Sequence, residues 1–468
     1  MLNKSGWRLH RGACGFNNTK RLFTTAQGAP LIDTVGKHTQ KLRDNIAVWS
    51  EMKDLMVKYN CLSLGEGATN LNPPKFLIDD MIVAMNAGHN QYTRTFGVPV
   101  LVNKIAEVYG AKLGRTIEPM TEVLVTQGAN GSLMSFINAY CNAGDEVVCF
   151  EPMFPMYLDH AEFAGGRVRS VPLKLEDGVW RFDPAALRAA LSPLTSKVFV
   201  FNSPNNPTGK VFSVDEIQQI SDILDECPHV LTLSDEVYDF LTFDGLQHTC
   251  FASIGNNWTR TVSIFSGGKL FNATGWKIGW AIGPQKLLHL GGVIANTVFY
   301  CFNTPGQHAV AHSLDKTTQA GYTEEGLSFV ANTQATFKAN RDFLTQAINE
   351  MALPWKPVPS QGGYFLLADI SECVDLIPDK FKTTHDYEAD DGRKPVDKYR
   401  LTMPNGNIPR DLAFCRWMAV EKGVVMMPNS FFYATDSPTI TDQFVRLAIC
   451  KDRQSTEAAV ARLKAALN

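Results

Sequence analysis

Short apolar runs alternate with helical stretches between about residues 75 and 335, and this alternation constrains the fold more than any other feature of the sequence. It predicts a largely parallel sheet covered by helices, because two parallel strands need a long crossover that is usually a helix. The runs with the length and composition of buried strands are 122–126, 146–150, 197–202, 230–233 and 261–265. The sequence therefore predicts an α/β protein with a mostly parallel central sheet.

A helix is predicted between the first two of these runs. Leu133, Phe136, Ile137 and Tyr140 recur at the i, i+3, i+4, i+7 spacing that places side chains on one helical face. Residues 142–144, Asn-Ala-Gly, have the composition of a helix end. The helix is thus expected to open directly after the first strand and to bury one face against the sheet.

The two ends of the chain are predicted to form a second, smaller α/β domain. A helical stretch covers 44–58, and the last helix has Ser455 as its expected N-cap, with Val460, Leu463 and Leu467 on one face. Residues 375–410 are rich in charge, Pro and Gly, and are predicted to be an exposed insertion. The predicted organisation is 33–74 as the N-terminal part of the small domain, 75–335 as the large domain and 336–468 as the C-terminal part of the small domain.

The charge balance excludes some classes of partner. The chain has 44 Lys+Arg and 47 Asp+Glu, a formal net charge of −3, and so lacks the basic surplus that nucleic-acid binding requires. Its longest uncharged stretches contain many polar residues, which argues against a membrane span. Ten cysteines without a CxxC pair indicate scattered reduced thiols.

The first 32 residues differ in composition from the rest. They contain five basic residues and no acid, and the first carboxylate is that of Asp33. Basic, hydroxyl-containing and acid-free segments are typical of mitochondrial transit peptides, with a disordered basic tail as the alternative. We therefore expect residues 1–32 to direct the protein to the mitochondrial matrix, or alternatively the protein to be cytoplasmic. Without this segment the charge would be 39 − 47 = −8.

Chemically useful residues follow the predicted strands, where ligands of open α/β sheets bind. The residues just past the five runs are Gly128 with Ala129 and Asn130, then Phe154, Asn206, Asp235 with Tyr238, and Ser266 with Lys269. Together they supply an anion-binding helix start, an aromatic ring, an amide, an acid with a phenol, and a hydroxyl with an amine. Each signal is weak alone, but the set matches the needs of a phosphorylated aldehyde cofactor with a heteroaromatic ring.

Each part has a chemical reason. A lysine of lowered pKa forms a Schiff base with an aldehyde, and a carboxylate stabilises a protonated pyridine nitrogen, which lets the ring accept electrons. A helix N-terminus binds phosphate through free N–H groups, and an aromatic face stacks on the ring. The pattern therefore predicts this chemistry at the carboxyl edge of the sheet.

Several strings now make a family resemblance visible. They are LGEG (64–67), NQYTRTFG (90–97), SPNNPTGKVFS (203–213), SDEVYDFLTFDG (234–245), SGGKLFNATGWKIGW (266–280) and FVRLAI (444–449). From about Thr34 to the C-terminus the chain resembles the fold-type-I, class I/II pyridoxal-phosphate aminotransferases. It is most similar to the group of kynurenine aminotransferases, glutamine transaminase K and cysteine-S-conjugate β-lyases. The resemblance implies the fold-type-I architecture of a large cofactor-binding domain and a small domain.

The resemblance assigns pyridoxal 5′-phosphate (PLP) to these strand ends. Lys269 matches the Schiff-base lysine, which also moves a proton between the substrate Cα and the cofactor C4′. Asp235 matches the acid that pairs with the pyridine nitrogen, and Asn206 and Tyr238 match the donors to the phenolate oxygen. Phe154 matches the aromatic residue stacked on the cofactor ring.

The resemblance also implies a phosphate site and a homodimer. The residues that match the phosphate ligands are Gly128, Ala129, Asn130, Ser266 and Lys277. Tyr92 matches a residue that reaches the phosphate from the other subunit, and Phe299 is expected to be shared across the same interface. The predicted protein is therefore a homodimer whose active sites need both chains.

A further set matches substrate-binding positions. Arg446 matches the arginine that grips the substrate α-carboxylate, for which a planar fork is well suited. The residues that match the side-chain pocket are Trp49, Gly67, Tyr92, Phe154, Phe299 and Tyr300, together with Asn206. An aromatic pocket suits kynurenine, phenylalanine, glutamine, methionine and cysteine conjugates. The expected reaction is transfer of an amino group from such an L-amino acid, with L-kynurenine first, to a 2-oxo acid.

Three departures from the family pattern bear on specificity. Asn130 stands where a tyrosine is usual, Tyr300 where a histidine is frequent, and Ala68-Thr69-Asn70 where Phe-Pro-Asp is usual. Cysteine-S-conjugate β-elimination is the alternative main reaction, and an aminotransferase for another amino acid is a second alternative. A non-catalytic binding protein on this fold is a remote one. His308 and His312 have the i, i+4 spacing of metal ligands, but no third ligand is evident and no metal site is predicted.

Overall fold

The structure is a computed structural model that describes residues 47–322, 326–383, 402–403, 405–434 and 437–465. The expected targeting segment, 1–32, lies outside the described residues, as do the start of the segment 33–74 and Leu467. Much of the stretch 375–410 also lies outside them.

The described residues contain two larger sheets and a short two-stranded one. The strands are β1 Leu62–Ser63, β2 Val123–Gln127, β3 Glu146–Glu151, β4 Arg167–Glu176, β5 Val179–Phe182, β6 Ser196–Asn202, β7 Leu231–Asp235, β8 Thr261–Ser266, β9 Ile278–Ile282, β10 Lys356–Val358, β11 Phe365–Asp369, β12 Val424–Val425, β13 Met427–Pro428 and β14 Phe444–Ala448. The central sheet has eight strands in the order β2-β9-β8-β7-β6-β3-β4-β5.

Helices cover this sheet and complete both domains. They are α1 Ala47–Lys58, α2 Lys75–Asn86, α3 Pro99–Leu113, α4 Gly128–Tyr140, α5 Met156–Phe163, α6 Pro184–Ala190, α7 Val214–Asp225, α8 Gly267–Leu270, α9 Gln285–Phe299, α10 Thr304–Ser313, α11 Phe329–Glu350, α12 Arg410–Lys422 and α13 Arg453–Ala465. Within the described residues, no helix has both the length and the apolar composition needed to cross a membrane.

The predicted α/β fold is confirmed, and all five predicted runs are strands of the central sheet, within one or two residues of the expected bounds. These five and β4 run in one direction, whereas β5 and β9 run antiparallel to their neighbours. The antiparallel β9 was not predicted. It follows β8 after the short α8 and a turn, and so short a connection returns the chain antiparallel.

Local sequence explains where the helices begin and what they bury. The face predicted for α4 is confirmed, since Leu133, Phe136 and Ile137 are buried. Helix α7 begins with a capping box, in which Ser213 Oγ accepts a hydrogen bond from the Glu216 amide while Glu216 Oε2 accepts one from the Ser213 amide.

The small domain joins the two ends of the chain. Strand β1 pairs in parallel with β12, so that Leu62 lies opposite Val424. Strands β10, β11, β14 and β13 form an antiparallel sheet in that order. Helix α11 runs without interruption across the expected domain boundary between residues 335 and 336.

Two details of the structure differ from what the sequence predicts. Helix α13 begins at Arg453, so Ser455 is not its cap; the Asp452 carboxylate accepts a hydrogen bond from the Ser455 amide instead (2.6 Å). Ile377 and Phe381 lie in the stretch expected to be exposed, yet both are buried in the core. The prediction of exposure rested on the average composition of the segment. An average over many charged residues does not reveal two single apolar residues that are buried.

Candidate active site

A cavity of about 590 Å³ lies beyond the carboxyl ends of the central strands and is closed by residues of the small domain. The residues expected at the site that line it are Trp49, Gly67, Gly128, Ala129, Asn130, Phe154, Asn206, Asp235, Tyr238, Ser266, Lys269, Lys277 and Arg446. Parallel strands bring these residues together because their carboxyl ends share one edge of the sheet.

Three expected residues do not line the cavity of their own chain. Tyr92 is 83% exposed, Tyr300 is 55% exposed, and their rings meet edge to face with centroids 5.3 Å apart. Phe299 is partly buried beside the core cluster that contains Leu133. Their contribution to a site requires a second subunit and stays a prediction.

Lys269 lies in α8, immediately after β8, and points its amine into the cavity. Its Nζ donates a hydrogen bond to the Gly67 carbonyl (2.9 Å) and lies 4.8 Å from the centroid of the Tyr364 ring. Burial lowers the pKa of Lys269 from 10.5 to about 8, and the nearby charge of Arg446 acts in the same direction. About half of the amine is therefore in the neutral, nucleophilic form near pH 8.

Asp235 is the last residue of β7 and is buried. Its Oδ2 accepts a hydrogen bond from the Tyr157 hydroxyl (2.6 Å), whereas Oδ1 has no hydrogen-bond partner among the described residues. Burial raises the pKa of Asp235 to about 6, and the hydrogen bond from Tyr157 opposes that rise. A buried carboxylate oxygen without a donor calls for a cationic or N–H partner.

The neighbouring acid, Glu236, has a different environment. Its Oε1 accepts hydrogen bonds from Ser234 (2.7 Å) and Ser263 (3.0 Å), and its Oε2 contacts His248 Nε2 at 2.7 Å. Glu236 does not line the cavity, whereas Asp235 does. Adjacent residues of an extended chain point to opposite sides, so only one of these two acids can serve the site.

The side chains of two asparagines connect β7 to the turn after β6 by hydrogen bonds. Asn202 Nδ2 donates to the Asp235 carbonyl (2.9 Å), and Asn202 Oδ1 accepts from the Asn206 amide (2.8 Å). Asn206 Oδ1 in turn accepts from Arg446 Nη1 (2.9 Å). The Asn206 side chain is thereby fixed between the carboxyl edge of the sheet and the small domain.

The N-terminus of α4 opens onto the cavity. No side chain caps its first amides, and Gly128 has a positive φ of +67°. Lys277 lies close by, since a Cβ added at Gly128 would be 3.5 Å from its Nζ. A Cβ at Gly279 would lie 2.6 Å from the Ala129 nitrogen, so glycine allows β9 to approach this helix start. Free amides, a helix dipole and an ammonium make a site for a phosphate group.

Asn130 and Ser266 lie at the same end of the cavity. Asn130 Oδ1 is 2.9 Å from Nε2 of His160, and burial lowers the pKa of that histidine to about 4. Ser266 caps α8, because its Oγ accepts a hydrogen bond from the Lys269 amide (3.2 Å). The hydroxyl proton of Ser266 is free to point towards an anion.

Arg446, in β14, is 1% exposed and has no carboxylate partner among the described residues. Its Nη1 and Nη2 donate to Asn206 Oδ1 and to the Gly65 carbonyl (2.7 Å), and its buried Nε has no partner. The guanidinium carbon lies 3.8 Å from the centroid of the Phe365 ring. Burial lowers the pKa of Arg446 to about 9. A buried guanidinium without a counter-ion is a strong binding point for a carboxylate.

Several residues that shape this site were not predicted from the sequence. Tyr157 holds Asp235, Tyr364 OH donates to the Lys269 carbonyl (2.8 Å), and the Phe365 ring lies under Arg446. A Cβ at Gly67 would be 2.4 Å from that ring, which explains why glycine stands there. Tyr157 could have been found as the residue one helical turn after Phe154, whereas nothing local to Tyr364 or Phe365 signals their position.

Comparisons with known proteins agree with this geometry. The family described as aminotransferase class I and II matches residues 59–463. A kynurenine–oxoglutarate transaminase of Dictyostelium discoideum is 37% identical over 87% of this chain and 91% of its own, and kynurenine–oxoglutarate transaminase 1 of Mus musculus is 35% identical over 89% and 94%. The structure of N-succinyldiaminopimelate aminotransferase from Mycobacterium tuberculosis superposes with a TM-score of 0.78 at 29% identity, covering 92% of this chain and 100% of that one.

The match to the family covers most of the chain, and the relatives are similar over nearly their whole length. Around one cavity the chain has an amine of lowered pKa, a carboxylate with one oxygen that has no hydrogen-bond partner among the described residues, and an arginine that forms no ion pair with them. It is a transaminase and belongs to the class I and II aminotransferases.

Proposed function

We propose that this aminotransferase moves the amino group of an aromatic, glutamine-like or sulfur-containing L-amino acid, with L-kynurenine as the first candidate, to a 2-oxo acid. The observation that carries this proposal is the buried Arg446, which shares a cavity with Lys269 and has no carboxylate partner in the part of the chain that the structure describes. The names of the relatives, kynurenine–oxoglutarate transaminases, support this choice of donor.

The cofactor proposed is PLP, on which the enzymes of this family depend. The site has the groups that PLP requires: unpartnered Asp235 Oδ1 for a pyridine N–H, and the open N-terminus of α4 with Lys277 for a phosphate. Asn206 and Tyr238 would donate to the phenolate oxygen, and Phe154 would stack on the ring. When bound, PLP supplies an aldehyde carbon and a ring that withdraws electrons from the substrate Cα.

The chain's own residues would divide the remaining work. Lys269, with its lowered pKa, would hold the aldehyde of the cofactor and would carry the substrate Cα proton as a base. Asp235 would stabilise a protonated ring nitrogen, and the hydrogen bond from Tyr157 would keep that carboxylate oriented. Arg446 would hold the substrate α-carboxylate in the same cavity as the Lys269 amine.

The side-chain end of the cavity supports an aromatic or apolar donor. Trp49 packs edge to face on Phe431 with centroids 5.7 Å apart and lines the cavity with Phe154 and Phe365. Such walls suit flat or apolar side chains, since they offer ring faces and few polar groups. Gly67 leaves this part of the cavity open, and a side chain at this position would collide with Phe365.

A homodimer is part of the proposal, and enzymes of this family typically dimerise. Helix α9 exposes Leu290, Val293 and Val298, each by 45–49%, close to the exposed pair Tyr92 and Tyr300. Exposed apolar residues grouped in this way are typical of a protein interface. We propose that Tyr92 and Phe299 reach the cavity of the partner chain through this surface.

The test is a spectrum of the purified protein followed by a panel of amino donors with one 2-oxo acid. We expect a visible band of bound PLP that bleaches when the correct donor is added. A protein without such a band after PLP is supplied, or one that no donor on the panel bleaches, would refute the proposal. A cysteine conjugate belongs in the panel, because pyruvate plus a thiol as products would identify β-elimination as the main reaction.

Localisation to the mitochondrial matrix is proposed from the acid-free basic composition of residues 1–32. Fusing these residues to a fluorescent protein should target it to mitochondria. Replacing Arg8, Arg11 and Arg21 with glutamate should abolish that targeting, since import depends on the positive charge. A cytoplasmic distribution of the unmodified fusion would favour the cytoplasmic alternative.

A further inference from the structure

Two charged residues line the cavity without a part in the proposed chemistry. Lys53 lies on α1, and Glu66 lies in the loop after β1; Lys53 Nζ is 3.5 Å from Glu66 Oε1. Their side chains are 60% and 30% exposed, so the pair lies at the mouth of the cavity and not in its floor.

Glu66 is tied to the two principal binding groups through its neighbours. The carbonyl of Gly65 accepts a hydrogen bond from Arg446, and the carbonyl of Gly67 accepts one from Lys269. The residue between them therefore has its backbone fixed against both groups. Its negative charge also raises the pKa of Arg446, against the larger effect of burial.

Lys53 lies on the same helix as Trp49, a residue that contacts Arg446. Trp49 lies four residues earlier on α1, about one helical turn or roughly 6 Å away along the axis. The Trp49 ring centroid is 5.6 Å from the guanidinium carbon of Arg446, and both Trp49 and Lys53 line the cavity. Arg446, Trp49 and Lys53 therefore follow one another along the same cavity, with Trp49 in contact with Arg446 and Lys53 one helical turn further along α1.

An aminotransferase must accept both an amino donor and a 2-oxo acid in one cavity. A monocarboxylic substrate has only the carboxylate that Arg446 would bind, so it brings no second charge to the Lys53–Glu66 ion pair. A dicarboxylic 2-oxo acid brings a second negative charge to the distal end, which Lys53 attracts and Glu66 repels. We propose that Lys53 binds the distal carboxylate of a dicarboxylic 2-oxo acid and that Glu66 limits this binding, so that the pair sets the preference between dicarboxylic and monocarboxylic acceptors. This inference rests on the proposed function.

The pair is partly exposed, which bounds the size of the effect. Ion pairs in such positions contribute modestly, because water screens them, and a change of about fivefold in the selectivity ratio is expected. The ratio to measure is kcat/KM for 2-oxoglutarate divided by kcat/KM for 2-oxobutyrate. Changes in Arg446 binding affect both substrates and cancel in that ratio.

The two variants have opposite expected signs. Lys53→Gln should lower the ratio about fivefold, and Glu66→Gln should raise it by about threefold, because a repulsive charge near the distal carboxylate is removed. Lys58→Gln is the matched control, since Lys58 lies on the same helix but does not line the cavity; its ratio should equal that of the unmodified enzyme. Ratios that stay the same in both cavity variants, or that move in the same direction, would overturn the proposal.

A binding measurement separates this inference from the proposed function. Glutarate and butyrate are unreactive analogues of the two acceptors, and each can be titrated by thermal shift. Glutarate should stabilise the unmodified protein more than butyrate does, and Lys53→Gln should remove that difference. Loss of all transamination with this difference intact would count against the proposed function alone. Equal stabilisation by both acids in the unmodified protein would overturn the role of Lys53.

Discussion

At the scale of single residues, burial without a compensating charge accounts for the reactivity of the site. Lys269 and Arg446 are both cations in a poorly solvated cavity, and burial is the largest cause of their lowered pKa values. Such groups are costly to keep in a folded protein unless an anion arrives. Burial of these cations therefore favours the binding of an anionic group such as a carboxylate.

Replacing Arg446 should weaken donor binding in particular. A charge-assisted hydrogen bond contributes roughly 1.5–3 kcal/mol, so Arg446→Ala should raise KM for the amino donor about 10- to 100-fold. Arg446→Lys keeps the charge but loses the planar fork, and should recover only part of the affinity. The visible band of bound PLP serves as the control and should persist in both variants. A KM equal to that of the unmodified enzyme would contradict the assignment.

The rate at which PLP binds covalently should depend on pH through Lys269. The neutral amine is the nucleophile, and its fraction rises as pH increases through a pKa of about 8. Rebinding of PLP to the apoenzyme should therefore accelerate from pH 6 to 9 with a midpoint near 8. In Arg446→Ala the midpoint should move to higher pH, because a cation that lowers the pKa is gone. A rate independent of pH over this range is the outcome that would contradict the prediction.

Tyr157 should act through the acid it contacts. Its hydroxyl donates to Asp235 and lowers the pKa of that carboxyl, against the larger opposing effect of burial. Tyr157→Phe should therefore raise this pKa and move the acid limb of the kcat/KM profile to higher pH. Tyr140→Phe is a suitable control, since its hydroxyl contacts only the Leu287 carbonyl among the described residues, at 3.4 Å. Superimposable profiles for Tyr157→Phe and the unmodified enzyme would exclude this role.

At the scale of elements, the residues of the site lie at the ends of strands and helices. Some of these ends can be predicted from the local sequence and others cannot. The carboxyl ends of the five predicted strands lie next to the motif residues in sequence, so they were predictable. The start of α7 was readable from Ser213 and Glu216, because a capping box is a local pattern. The start of α13 was not, because the choice between Asp452 and Ser455 as cap depends on how the helix meets its neighbours.

The capping box of α7 gives a stability prediction. Ser213→Ala removes the acceptor for the Glu216 amide and should lower the free energy of unfolding by about 1 kcal/mol. Ser213→Asn keeps a side-chain acceptor and should retain most of the stability. Urea unfolding of the three proteins measures the difference. Equal stabilities for Ser213→Ala and the unmodified protein would show that water replaces the cap without cost.

At the scale of the whole molecule, the site is assembled from distant segments and, in the proposal, from two chains. Asn206 and Arg446 are 240 positions apart yet hydrogen-bonded, and Gly65 and Arg446 are 381 apart. Tyr92 is exposed in its own chain, as expected for a residue that serves a partner. Packing of the small domain onto the carboxyl edge of the sheet creates these contacts.

Mixed dimers should reveal which residues are shared between chains. Co-expressed Lys269→Ala and Tyr92→Ala chains should form hybrids with one intact site, because Lys269 and Tyr92 of different chains then meet. About a quarter of the unmodified activity is expected if chains pair at random. Lys269→Ala with Arg446→Ala is the matched control and should restore nothing, since both residues belong to the same chain's site. Complementation in both mixtures, or in neither, would contradict the shared site.

The sequence by itself determined the α/β class, the five strands and the residues that follow them, because hydrophobic periodicity and adjacent motifs are local properties of the chain. It also indicated Lys269, Asp235 and Arg446 through family resemblance. Only the tertiary structure decided that Tyr157 holds Asp235, that β9 is antiparallel, and that Lys53 meets Glu66 at the mouth of the cavity. These depend on which surfaces pack together, since a contact between distant residues leaves no periodic signal in either of the segments it joins.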